Sequence, residues 1–163
     1  VEGGLAVPVA GGRFEARERH QIANFQDFCN DCGNCDTFCP EDGGPYVEKP
    51  RFFGSLEAWR QQAGRDGFYV RTREGADTMW GRLGGVVYRL EVSREADQAV
   101  FTDGRLTLEL RHRDRRAVGA TVAVGAPEGH VLDVGAYLKM AVLLDGVLDP
   151  RRANPVNAQP VAP

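Results

Sequence analysis

Ala99-Val100-Phe101-Thr102-Asp103-Gly104-Arg105-Leu106-Thr107-Leu108-Glu109-Leu110-Arg111 decides the fold class of this 163-residue chain. Asp-Gly between two apolar runs is a strong hairpin signal, because a tight reversal needs backbone conformations that these residues tolerate. After the turn, Leu106, Leu108 and Leu110 alternate with Thr107, Glu109 and Arg111, the period of a strand with one face buried. Further back, Val86, Tyr88, Leu90 and Val92 alternate with Val87, Arg89, Glu91 and Ser93 in the same way. Earlier still, Phe68, Val70 and Thr72 alternate with Tyr69, Arg71 and Arg73. Thr121 to Val124 adds one more extended run. The expectation is a small antiparallel sheet over about residues 67 to 125.

Beyond the sheet, Pro127 and Gly129 break the pattern. Asp133 then has the position of an N-cap for a helix to about Leu144, with Gly146 closing it. Val134, Tyr137, Leu138, Ala141, Val142 and Leu144 leave that helix little polar surface, so it packs over the sheet. The fold class read from this order is α+β. From Asp149 the chain carries Pro150, Pro155, Pro160 and Pro163 and reads as an extended tail over 149–163.

On the N-terminal side, Ser55 has the character of an N-cap for a short helix to about Ala63 that contains Ala58 and Trp59 and is ended by Gly64 and Gly67. Tyr46 to Phe53 reads as extended, since Pro45 and Pro50 discourage helix. Glu41-Asp42-Gly43-Gly44-Pro45 reads as a turn. Arg13 to Phe28 reads as a short helix with Phe14, Ile22, Phe25 and Phe28 as its apolar contacts. Val1 to Gly12, with Gly3, Gly4, Pro8, Gly11 and Gly12, reads as a mobile lead-in. The first residue is valine, which fits a piece of a longer polypeptide or a processed product. The organisation expected is a linker at 1–12, a metal-binding segment at 13–53, a small α+β domain at 54–148 and the tail.

The chemistry is concentrated in one run, Cys29-Asn30-Asp31-Cys32-Gly33-Asn34-Cys35-Asp36-Thr37-Phe38-Cys39-Pro40. It uses all four cysteines of the chain. The spacing C-x2-C-x2-C-x3-C-P matches the ligand run of bacterial ferredoxin-type iron–sulphur clusters. Each tetrahedral iron takes one soft ligand beyond its bridging sulphides, and two-residue spacers aim successive thiolates at neighbouring corners of the cluster. Gly33 allows the backbone to curl close to the cluster, where its N–H groups point at sulphur and tune the potential. One [4Fe-4S] cluster held by Cys29, Cys32, Cys35 and Cys39 is the first reading.

Four alternatives stand beside it. Structural zinc also takes four thiolates, but its sites pair two knuckles across a longer spacer. A disulfide framework belongs to secreted chains, and closely spaced thiols fit a reducing cytoplasm better. In two-cluster ferredoxins the fourth cysteine ligates the other cluster, so Cys39 has two possible roles, and a three-cysteine cluster would need a corner ligand such as Asp31, Asp36, His20, His112 or His130. The corresponding functions are electron transfer, a structural zinc module for assembly, and a cluster-based redox sensor.

The surrounding residues, from Asn24-Phe25 through Phe28 and the cysteine run to Glu41-Asp42-Gly43-Gly44-Pro45-Tyr46, are more specific than a generic ferredoxin loop. They resemble the C-terminal iron–sulphur segment of the selenate reductase iron–sulphur subunits, which are cytoplasmic oxidoreductases similar to the small subunit of glutamate synthase. The resemblance is strongest over residues 24 to 53. It implies that the chain is the C-terminal part, or a subunit, of a larger oxidoreductase linked to flavin and NAD(P)H. It implies a flavoprotein-like redox partner domain or subunit, with the cluster passing electrons between a flavin and another centre. Only Cys29, Cys32, Cys35 and Cys39 match as ligands. No flavin or nucleotide motif lies in this chain, so those cofactors would sit elsewhere in the parent protein.

Composition excludes other classes. Net charge is −3, which gives no electrostatic basis for nucleic-acid binding. No apolar run is long enough to span a membrane, and no secretion signal opens the chain. Only Lys49 and Lys139 among 20 basic residues are lysine. Gly81-Arg82-Leu83-Gly84-Gly85 lacks phosphate-loop spacing and reads as a turn. Arg111-His112-Arg113-Asp114-Arg115-Arg116 reads as a solvated strand end, or else a docking patch for an acidic partner. Trp59 and Trp80 read as core or interface. No nucleophile–base signature is present, and no catalytic pocket is implied.

Overall fold

Asp103 turns the chain by its side chain: Oδ1 accepts from the backbone N–H of Arg105 at 2.9 Å and of Leu106 at 3.0 Å, and Gly104 takes φ of 87°. The computed structural model describes residues 1–15, 22–37 and 44–158. The hairpin at its centre joins β6 (Gln98–Thr102) to β7 (Leu106–Arg111), with Thr102 paired to Thr107. Around it an antiparallel meander runs from β3 (Gly67–Arg73) through β4 (Ala76–Leu83) and β5 (Val86–Ser93) to β8 (Ala117–Val122). Two short strands, β1 (Asn24–Phe25) and β2 (Arg51–Phe53), extend the edge beyond β3 in parallel. The sheet is thus mixed, with eight strands in sequence order.

Register explains the core. Val70, Met79, Leu90, Phe101 and Leu108 lie opposite one another in successive strands, so they share one face. α3 (Val134–Val147) crosses that face with Tyr137, Met140, Ala141 and Leu144 turned inward, the i, i+3, i+4, i+7 stripe of a packed helix. Tyr137 meets Phe101 at 5.5 Å between ring centroids, and Phe101 stacks on Tyr88 at 5.3 Å. Asp133 caps the helix by accepting from Gly135 N–H at 2.8 Å. The α+β class and the C-terminal helix over the sheet are as the sequence predicts.

Several local expectations change. In the stretch read as a helix over Arg13 to Phe28, the described residues near its end form β1 and then a 3₁₀ turn at Gln26–Phe28. The rings of Phe25 and Phe28 meet at a tilt, 5.1 Å between centroids, instead of lining a helix face. Pro45 starts a short helix, α1 (Pro45–Glu48), where an extended run was expected; proline at the first helical position loses no hydrogen bond. Gly81, Arg82 and Leu83, which the sequence places in a turn, end strand β4 instead, and the turn is made by Gly84 and Gly85, both with positive φ. α2 (Leu56–Gln61) begins at Ser55, whose Oγ accepts from Ala58 N–H at 3.0 Å. α3 runs through Gly146 rather than stopping there.

The segment read as an extended tail folds in turns through residue 158. Asn154 Nδ2 donates to the Val147 carbonyl at 2.9 Å, supplying a partner at the C-terminus of α3. At the other end, Val1 is buried, and its carbonyl accepts from Gly129 N–H at 2.9 Å. No helix among the described residues is long and apolar enough to cross a membrane.

Candidate functional site

The cysteine loop leaves the sheet edge directly. β1 pairs with β2, the 3₁₀ turn follows, and Cys29 comes next. Gln26 is buried and grips the turn: its Nε2 donates to the Cys29 carbonyl at 3.1 Å, while Cys29 N–H donates to the Gln26 carbonyl at 3.0 Å. Asp27 Oδ1 accepts from Gly54 N–H at 3.2 Å, tying the loop's base to the end of β2. The root of the loop is therefore fixed by two hydrogen bonds within the turn and one to the residue that follows β2.

Beyond Cys29 the backbone curls. Asp31 and Gly33 both take left-handed φ, 55° and 75°. Asn30 Oδ1 accepts from Cys32 N–H at 3.3 Å, and Gly33 carbonyl accepts from Asp36 N–H at 2.9 Å into the 3₁₀ turn Asn34–Thr37. Asp31 and asparagine-type turns of this kind suit a non-glycine residue in the left-handed region. Cys29 and Cys35 are half-buried and Cys32 is exposed. Cys39, the fourth cysteine of the motif, and His20 lie outside the described residues.

Charged side chains brace this curl. Cys29 Sγ–H donates to Asp31 Oδ1 at 3.5 Å, and Asp31 pairs with Arg65 from the turn after α2. The Arg65 guanidinium holds the Asp31 carboxyl below its usual range against a smaller upward push from burial. Tyr46 of α1 donates to Asp36 Oδ2 at 3.2 Å, and that hydrogen bond pushes the Tyr46 phenol up. Arg51 Nη2 donates to the Tyr46 carbonyl at 2.5 Å, fixing α1 against β2. Gly44 takes φ of 66°, which favours glycine, and a Cβ there would displace the Asp36 carboxylate that faces α1.

The donor set is chemically suited to a thiophilic centre, since the three soft thiols of Cys29, Cys32 and Cys35 lie on one curled loop. Among the described residues no three His, Cys, Asp or Glu side chains converge on a single-ion site. A cluster asks something different of its ligands: one thiolate per iron, spread around a larger body. His112 stands beside Arg94 and Asp145, and His130 Nε2 bonds Asp103 at 2.6 Å, so both histidines are engaged on the sheet away from the cysteine motif.

The loop also forms one wall of an open cleft of about 880 Å³. Asp31, Arg65 and Tyr46 line it on the loop side; Phe68 and Leu83 lie toward the sheet; Lys139, Val142 and Leu143 of α3 close the far side. Sequence patterning gave no sign of this cleft, because its walls come from residues as far apart as Phe14 and Leu143. The residues bracing the loop were missed for the same reason. Arg65 stands 34 positions from Asp31, and no local motif links them.

Comparison with known proteins gives a partial match. The chain is 39% identical over 66 residues to the protein named "Putative oxidoreductase YgfK" of Escherichia coli K12, and equally to its counterpart in E. coli O157:H7. The match takes in 40% of this chain, which spans about 6% of the length of those relatives. No family profile matches the chain, and no solved structure does. The class these matches support is an oxidoreductase-related protein. They carry no specificity for selenate.

Proposed function

We propose that this chain is the electron-transfer portion of a larger cytoplasmic oxidoreductase, holding one [4Fe-4S] cluster on Cys29, Cys32, Cys35 and Cys39. The observation that carries this reading is the cysteine run itself: all four cysteines of the chain fall in one ferredoxin-type spacing. The match to an oxidoreductase supports the redox class. The loop's fixed root at Gln26 and Asp27 and its exposed tip at Cys32 are arranged as a carrier site needs.

When bound, such a cluster supplies one-electron transfer. This chain's residues would supply the rest. Cys29, Cys32, Cys35 and Cys39 are the thiolate ligands. Gln26 fixes the Cys29 backbone, and the Arg65–Asp31 pair offsets a carboxylate charge that would otherwise face the ligating sulphurs. Flavin and NAD(P)H belong to other parts of the parent protein or to a flavoprotein-like partner domain or subunit.

Anaerobic reconstitution with ferrous iron and sulphide tests this. The chain is expected to turn brown, with visible absorption bleached by dithionite and a paramagnetic reduced state. Cys29→Ser, Cys32→Ser, Cys35→Ser and Cys39→Ser are each expected to lose most of that absorption. Full colour in Cys35→Ser would sink the assignment, and full colour in Cys39→Ser would remove the fourth ligand from this cluster.

A further inference from the structure

The cleft beside the cysteine loop has the make-up of a ligand site. Its volume falls in the range of small-molecule pockets. Its lining is mostly apolar, with Phe68, Leu83, Val142 and Leu143 contributed by the sheet and α3. Val142 and Val47 of this cleft are among the large apolar side chains left exposed to water. Exposed apolar surface gathered in a concave site is the usual mark of a binding face, whereas single exposed valines are not.

Charge adds the specificity. Four cations, Lys49, Arg51, Arg65 and Lys139, line the cleft against the three carboxylates Glu15, Asp31 and Asp66, in a chain whose overall net charge is −3. Two of the three carboxylates are already committed. Asp31 pairs with Arg65, and Asp66 accepts from the backbone N–H of Gly84 at 2.7 Å and Gly85 at 3.4 Å. Both lysines of the chain are here. Lys139 is exposed on an otherwise apolar stretch of α3, and among the described residues it has no ion-pair or hydrogen-bond partner. The other charged residue of α3, Asp145, is held by Arg94 at 3.1 Å and Arg115 at 3.5 Å.

We propose that this cleft binds a small organic anion with an apolar body, its anionic group at Lys139 and its body over Phe68, Leu83, Val142 and Leu143. The class follows from the pairing of one uncommitted cation with an apolar wall: an uncharged ligand would leave Lys139 unused, and a small inorganic anion would leave the apolar wall wet. An occupant would lie against the Asp31 wall of the cysteine loop. The inference does not depend on a cluster being bound.

The test uses the full chain and two probes, 8-anilinonaphthalene-1-sulfonate as an apolar anion and N-phenyl-1-naphthylamine as its neutral counterpart. Saturable one-site binding of the anionic probe is expected, with methyl resonances of Leu83, Val142 and Leu143 shifted in NMR spectra. Lys139→Glu is expected to weaken the anionic probe at least tenfold and the neutral probe less than twofold. Val142→Asp is expected to weaken both, and Val124→Ser, on a fully exposed valine outside the cleft, neither. Methyl shifts elsewhere, non-saturable binding, or equal loss of both probes in Lys139→Glu would each overturn the proposal. Far-UV circular dichroism of the variants confirms that the fold is kept.

Discussion

Arg82 shows how much one residue can organise here. It is 5% exposed, yet among the described residues no carboxylate pairs with it. Its Nη1 donates to the carbonyls of Gln62 at 3.0 Å and Arg65 at 2.8 Å, and its guanidinium lies 4.4 Å from the centre of the Trp59 ring. Those carbonyls end α2 and its following turn, where the helix dipole and unpaired backbone acceptors favour a cation. Trp59 in turn donates from Nε1 to the Gly67 carbonyl at 3.0 Å. The planar fork of arginine is what spans two carbonyls and stacks on an indole; an ammonium does neither well. Arg82→Lys is therefore expected to destabilise the chain by about 2 kcal/mol, measured by urea unfolding, because buried carbonyls lose partners. Ser55→Ala is expected to cost about 1 kcal/mol through loss of the α2 N-cap. The sequence presented Arg82 only as part of a glycine-rich turn, since its partners are backbone atoms about twenty positions away and carry no residue signature.

At the scale of elements, α3 packs closely on β4. A Cβ on Gly81 would stand 2.8 Å from Met140 Sδ and 3.1 Å from Phe68 Cδ1. Met140 is fully buried, so it has little room to move aside. Gly81→Ala is expected to cost about 1–3 kcal/mol by overpacking, read as a lower urea midpoint. Glycine at this position reflects a close approach of helix to strand, not a turn. This also explains why β4 escaped the alternation that revealed β3, β5 and β7. Asp77, Thr78, Met79, Gly81 and Arg82 are all buried, so polar and apolar positions do not mark two faces. Asp77 is satisfied by Arg94 at 3.1 Å and Arg82 by carbonyls, arrangements that only the folded chain supplies. The strands with one wet face were legible; the strand covered on both sides was not. α3 was legible because its cap and apolar stripe are both local.

At the scale of the whole molecule, the hydrogen bond between Asp103 and His130 links the central hairpin to the segment leading into α3. Burial pushes the Asp103 carboxyl up, but hydrogen bonds from Leu106 N–H, Arg105 N–H and His130 outweigh it and hold the carboxyl below its usual range. A group depressed on folding stabilises the fold above its unfolded value of about 3.9, and that stabilisation is lost as pH falls through the folded value. Stability in urea is thus expected to drop as pH is lowered below about 4. Asp103→Asn is expected to be less stable at neutral pH and to show a shallower acid limb. An unchanged acid limb in that variant would remove Asp103 from the account.

In sequence the candidate site is legible only as four cysteines at cluster spacing. Cys29, Cys32, Cys35 and Cys39 follow from spacing alone, whereas Gln26, Arg65 and Tyr46 came from the fold, because side-chain bracing leaves no periodic trace. The reading of those four cysteines as cluster ligands is the central claim, and its most direct test is the metal and acid-labile sulphide content of the anaerobically purified chain. About four iron and four sulphide per chain is the predicted result. About one zinc per chain with no labile sulphide would contradict it.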